Sequence, residues 1–166
     1  MNIVTDEALK KKYNKLYKKF IKGDFLEVIK ECNKILKKRK HQLFFNLLSF
    51  AYQKSGKIEK SIDIMREALA LNPNHPNFLN NIGTCFYMLH KYSEAEKYFK
   101  KGLEIDNKHL HILNNLGNLK RETSKIEDSI EYYKKVLGIQ NDAVPALFNL
   151  VGIYRITNKK ENSKLT

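Results

Sequence analysis

Proline and glycine are scarce, three and seven among 166 residues, and alternating β-branched runs bounded by turn pairs are missing. Together these absences exclude a strand-rich fold and leave an all-α chain. Cysteine is scarcer still. Cys32 and Cys85 cannot build a disulfide framework and fit a reduced, cytoplasmic protein. No apolar stretch approaches the length of about 18 residues that a membrane span needs, and Met1–Glu7 carries acids where a secretory leader needs a basic start. A soluble protein with no transmembrane segment is expected. Catalytic signatures are missing too: there is no Gly-rich phosphate loop, no His-Glu-x-x-His and no Gly-x-Ser-x-Gly. The chain is therefore expected not to be an enzyme within these residues, and to carry neither cofactor nor metal.

What the chain does have is charge of one sign. Lys and Arg number 31 against 18 Asp and Glu, for a formal net charge of +13. Most of the surplus is local, since residues 1–40 hold 13 basic and 5 acidic side chains while the remaining 126 residues hold 18 and 13. Only Arg39, Arg66, Arg121 and Arg155 are arginines, and arginine is the better residue for planar phosphate recognition. An electrostatic binder of RNA or anionic membrane through the first hairpin would lose affinity steeply with salt. The expected partner is a protein or an extended peptide, and not nucleic acid.

The string that organises the chain is Leu113-Asn114-Asn115-Leu116-Gly117-Asn118-Leu119. Leu79-Asn80-Asn81-Ile82-Gly83 stands 34 residues before it. A period of that size is the signature of stacked helical hairpins. One period reads Leu79, Ile82, Gly83, Phe86, then Tyr92, Ala95, Phe99 and Leu103, which is the large, small and aromatic order of tetratricopeptide repeats (TPR). Repeats are expected over about 10–41, 42–75, 76–109 and 110–143, with a partial fifth over 144–166. In the first, Tyr13, Leu16, Tyr17 and Phe20 form an i, i+3, i+4, i+7 packing stripe and Gly23 supplies the turn. Gly83 sits mid-helix, where glycine costs about 1 kcal/mol relative to alanine, so the reading requires a close helix contact there. Lys120 stands where the pattern wants an aromatic. In the fifth unit Leu147, Leu150, Val151 and Tyr154 lack a second helix, and an open apolar face is unfavourable in a solenoid; this end is expected to self-associate or to continue into further chain.

In register, stacked first helices bring equivalent residues into rows on the concave face. Asn81, Asn115 and Asn149 form one row, with Leu47 in the second repeat, and Asn46, Asn80 and Asn114 form the row one residue earlier. An asparagine amide has two donors and an acceptor, the complement of a peptide group. Asparagine is also a poor helix former, so its recurrence in phase points to binding of a peptide backbone. Asn118 and Arg121, further along the same helix, complete the candidate set. His41, His75 and His109 also recur at 34 residues; equivalent atoms of stacked helices lie about 8–10 Å apart, too far to share one zinc at about 2 Å, so they are expected to be loop residues exposed to solvent. Glu94, Glu96, Glu127 and Asp128 read as solvated helix surface.

Residues 42–143 resemble TPR arrays, and Asn115–Glu122 looks like the repeats of O-linked N-acetylglucosamine transferases and related bacterial TPR-transferase fusions. The resemblance implies a right-handed TPR α-solenoid of stacked antiparallel hairpins, with an asparagine ladder at Asn81, Asn115 and Asn149 that binds peptide. The function expected is a protein- or peptide-binding scaffold. The alternative is the N-terminal substrate-recruiting region of a larger glycosyl- or sulfotransferase whose catalytic domain lies beyond Thr166. Asn14 with Lys18 only loosely matches the carboxylate clamp of chaperone-binding TPR domains, and that function is not inferred.

Overall fold

The computed structural model describes residues 6–162, with side chains to Ile156. The described residues form α1 (Asp6–Ile21), α2 (Phe25–Lys38), α3 (Gln42–Lys54), α4 (Ile58–Leu71), α5 (Pro76–Met88), α6 (Tyr92–Ile105), α7 (Leu110–Glu122), α8 (Ile126–Ile139) and α9 (Val144–Asn162), with no strand among them. Helices α3, α5, α7 and α9 begin 34 residues apart, as do α4, α6 and α8. Each odd helix packs antiparallel against the even helix that follows, and α1, α3, α5 and α7 also lie side by side. Among the described residues no helix is long and apolar enough to cross a membrane.

Four hairpin turns share one device. Gly23, Gly56, His90 and Ser124 occupy the left-handed region at φ 86°, 72°, 57° and 60°. One residue further on, the amides of Asp24, Lys57, Lys91 and Lys125 close back onto the carbonyls of Lys19, Tyr52, Phe86 and Lys120 at 2.8–3.1 Å. This is the long-range bond of a Schellman motif, which satisfies a carbonyl that the helix end would otherwise leave bare. Glycine makes that conformation free of side-chain strain in the first two turns; His90 and Ser124 adopt it without that relief.

Within the α3/α4, α5/α6 and α7/α8 hairpins the helices touch at small residues. Ser49 faces Ser61 with their Oγ atoms 2.6 Å apart, and Ser129 donates to the Gly117 carbonyl at 2.8 Å. A Cβ built on Gly83 would stand 2.5 Å from Cε1 of Phe99, and one on Gly117 would stand 2.5 Å from Cε1 of Tyr133. Both rings are fully buried, so the glycines are places where an aromatic edge lies directly on backbone. Cys32 and Cys85 are buried core residues. Burial pushes the Cys32 thiol up to about 12 and raises that of Cys85 as well, which makes both poor nucleophiles.

Three expectations are corrected. The first helix is present from Asp6 rather than from about Lys10, and it buries Leu9 and Leu16 while Tyr17 is exposed. Lys120 is buried, and its ammonium donates to Glu96 Oε1 at 3.0 Å with Asp128 Oδ2 at 3.9 Å. Glu96 is therefore no ordinary surface acid: burial alone would raise its carboxyl, yet hydrogen bonds from Lys100 and Lys120 outweigh that and hold it below the usual carboxylate range. Helix α9 runs unbroken through the position where the earlier odd helices end, and it leaves Leu147, Val151 and Tyr154 exposed in agreement with the open apolar face expected there, while Leu150 is buried. Residues 163–166 lie outside the described residues.

Two tests follow from this packing. Gly83→Ala and Gly117→Ala should each destabilise by about 1–3 kcal/mol through overpacking, whereas Gly138→Ala, with nothing within 4 Å of its added Cβ, should stabilise by about 0.5–1 kcal/mol. Urea denaturation of the three variants checks the opposite signs. Glu96→Gln should cost about 1.5–3 kcal/mol because it weakens a bond to a buried cation. Lys120→Met, which removes the cation itself, should fall within about 1 kcal/mol of wild type in the same assay.

Candidate peptide-binding face

The site grows out of the odd helices. Their 34-residue register places Asn46 of α3, Asn80 and Asn81 of α5, and Asn114 and Asn115 of α7 along one wall of a groove of about 440 Å³. Phe50, Asn77, Thr84 and His111 complete its lining, which contains no Lys, Arg, Asp or Glu. Both rows named from the sequence reach this groove, but the amides do not pair along the rows. They pair diagonally. Asn81 donates to Asn46 Oδ1 at 3.0 Å, and Asn115 donates to Asn80 Oδ1 at 2.9 Å, each bond spanning 35 residues. Asn80 in turn reaches Asn81 Oδ1 at 3.5 Å, and Thr84 Oγ1 lies 3.4 Å from the Asn115 amide.

The result is a connected chain of carboxamides across three repeats. It has a donor end at the Asn46 NH2 and an acceptor end at the Asn115 carbonyl. Asn81 departs from the expectation of a contact residue: it is only 5% exposed and touches Met65 Sδ behind the groove. Its chemistry is to hold Asn46 in place. Asn118, Asn149 and Arg121 stand outside this groove. Asn118 Oδ1 accepts from Tyr133 Oη at 2.8 Å and from Asn149 Nδ2 at 3.2 Å, and Arg121 donates to Asn149 Oδ1 at 3.0 Å. That second cluster ties α7, α8 and α9 together.

The recurring histidines are half-buried residues at helix N-cap positions and not free loop residues; His41 and His109 cap through the side chain, whereas His75 Nδ1 is buried without a partner. His41 Nδ1 accepts from the Leu43 amide at 3.2 Å, and His109 Nδ1 accepts from the Ile112 amide at 3.3 Å. With Nδ1 an acceptor, the proton of His109 sits on Nε2, which donates to Asn77 Oδ1 at 2.9 Å across the repeat boundary. His75 makes the equivalent bond to Gln42 Oε1 at 3.2 Å and stacks on Phe78 with centroids 4.0 Å apart. The bonds run between neighbouring repeats, so a reading of one helix at a time misses them; the 34-residue recurrence was their visible signal. Burial lowers the pKa of both His75 and His109, and the nearby Asp106 only partly offsets this at His109. Among the described residues no group of His, Cys, Asp or Glu is placed to hold a metal ion.

Family models for the tetratricopeptide repeat match residues 42–108 and 110–142. The chain belongs to the tetratricopeptide repeat family. No curated protein sequence matches it. Among solved structures, the TPR fold is shared with MamA, at 19% identity over 85% of this chain and 83% of that one with a TM-score of 0.69. YrrB, described as a TPR protein with an unusual peptide-binding site, is 22% identical over 78% of this TPR chain and 68% of its own, with a TM-score of 0.66. The first TPR of Spaghetti (RPAP3), bound to the HSP90 peptide SRMEEVD, is 20% identical over 70% and 92%, with a TM-score of 0.64.

The half-buried His75 and His109 give this TPR face a pH signature. A histidine whose folded-state pKa lies below its unfolded value, about 6.5, binds fewer protons folded than unfolded in the interval between the two. Stability should accordingly be level above about pH 6.5 and fall as the pH drops below it. Thermal melts between pH 8 and 5.5 check this, and His75→Asn with His109→Asn, which place a favourable N-cap residue that does not titrate at both positions, should flatten the slope.

Proposed function

We propose that the odd-helix groove holds an extended, uncharged stretch of a partner protein by its backbone. The observation that carries the reading is the carboxamide chain Asn46–Asn81–Asn80–Asn115, which offers both donors and acceptors to alternating N–H and C=O groups. A backbone held this way is recognised without regard to most of its side chains. The scaffold acts by rigid display: helix spacing fixed at Gly83 and Gly117 sets the amide positions before any ligand arrives, so little ordering cost falls on the protein.

That TPR structures of this shape are recorded with peptides supports the reading, as does the character of the lining. The peptide SRMEEVD is acidic, and a site for such a sequence needs cations. This groove has none among its lining residues, so a neutral segment is the better complement. The lysine-rich first hairpin lies on α1 and α2, away from that lining. Buried, unpaired Cys32 and Cys85 support work in a reducing compartment such as the cytoplasm. No feature of the described residues favours a transferase fusion over a binding array.

For a neutral peptide selected against the full chain from a random display library, Asn80→Ala and Asn115→Ala should each weaken binding by about 0.5–1.5 kcal/mol, the net worth of ordinary hydrogen bonds. Calorimetric titration at low and high salt should give nearly equal affinities, because no ion pair is involved. Lys18→Glu on α1 should leave them unchanged. Affinity insensitive to both asparagine changes, or collapsing with added salt, would sink the proposal.

A further inference from the structure

We propose that the groove has a second, apolar compartment at its α9 end that selects one large aliphatic or aromatic side chain of the bound peptide. The inference rests on the backbone-binding reading above and deepens it from a class of ligand to a preference within that class. A cavity of about 400 Å³ lies between the N-terminal part of α7, the C-terminal part of α8 and the start of α9, with Leu110, Val136, Ala143 and Val144 among its walls. His111 and Asn114 line both this cavity and the amide groove, so the two are continuous.

The register explains why the face changes character here. One period after Leu110, His111 and Asn114 stand Val144, Pro145 and Phe148. Asn46, Asn80 and Asn114 are thus followed in their row by a phenylalanine, which is 78% exposed, and Val144 beside the cavity is 71% exposed. A peptide lying along the amides meets hydrocarbon when it reaches α9. In an extended chain alternate side chains point the same way, about 6.5–7 Å apart, so one side chain can enter the cavity while its flanking peptide groups stay on the amides. The volume and the mostly apolar wall suit Leu, Ile, Met or Phe. Asp142 at the wall disfavours an acidic side chain.

Asn114 joins the two compartments chemically as well as spatially. Its Oδ1 is shielded from solvent and has no hydrogen-bond partner, and a buried acceptor left unpaired is costly. The last torsion of an asparagine is soft. Turning the amide brings the carbonyl to the groove, where the N–H of the residue that fills the cavity can satisfy it.

The test uses the full chain, 15N-labelled, titrated at millimolar concentration with capped heptapeptides of Ser, Asn and Thr whose central residue is Leu, Gly or Asp. The Leu peptide should bind about tenfold tighter than the Gly peptide or more, in line with burial of one aliphatic side chain, and the Asp peptide should be weakest. Amide signals of Asn46, Asn80 and Thr84 should move with both Leu and Gly peptides; those of Leu110, Val136 and Ala143 should move with Leu alone. Val144→Glu, at an exposed position, should abolish the Leu preference and leave Gly-peptide binding and the rest of the spectrum in place. Equal affinity for Leu and Gly peptides, or an unaltered preference in Val144→Glu, overturns the second compartment while the amide groove stands. Shifts confined to Leu110, Val136 and Ala143 overturn the backbone-binding reading and with it a compartment that serves the groove. No shift at either place with any peptide overturns both.

Discussion

Everything on the binding face depends on an aromatic ring lying against bare backbone. Phe99 over Gly83 and Tyr133 over Gly117 bring the two helices of a hairpin closer than any residue with a Cβ allows. Core packing is dense and transmits displacement, so a helix pushed outward at this point would shift its partner's other neighbours as well. The diagonal amide bonds at 2.9 and 3.0 Å tolerate little such movement, since hydrogen bonds weaken steeply once stretched. A contact in the core of these two hairpins thereby sets the geometry of polar groups on the surface of their neighbours.

Most of the polar chemistry inside the array is answered from another helix, the Asn114 carbonyl and His75 Nδ1 being the exceptions. Ser49, Ser61, Gln53 and Cys85 form one network joining α3, α4 and α5. Lys120 is answered by Glu96 and Asp128, and Asn118 by Tyr133 and Asn149. Satisfied networks of this kind specify which surfaces may meet, because a slipped register would strand a charge or an amide in a dry place. In a repeat protein, where neighbouring hairpins resemble one another, such markers distinguish the correct neighbour from a near copy.

Much of the fold was legible because it repeats. The period in Leu113–Leu119 and the misplaced-looking glycines at 83 and 117 announced stacked hairpins and the close contact between their helices. The site was legible in part. Residue types on the groove followed from counting, but the partners did not, because stagger between adjacent helices shifts the amide pairs from 34 to 35 residues and turns expected rows into diagonals. That same stagger buries Asn81 while its neighbour Asn80 faces the groove. Lys120 looked like a fault because its acids lie on α6 and α8, and no local pattern links them. The turns at His90 and Ser124 carry no glycine to mark them, although the same backbone Schellman bond closes them as closes the turns at Gly23 and Gly56.

Those backbone-made turns give the array a property of masonry. Each of these hairpins turns on the same closure, and the two junctions on either side of residues 76–109 use the same histidine-to-neighbour bond, His75 to Gln42 and His109 to Asn77. A tandem copy of residues 76–109 would meet a familiar surface on both sides: its Asn81 would stand where Asn115 now pairs with Asn80, and its final residues would hand over to Leu110 unchanged. The groove would lengthen by about one helix spacing, 8–10 Å, enough for two to three more residues of an extended ligand. Reach along a partner is therefore set by how many courses are laid, and can be altered in whole units without redesigning a single contact.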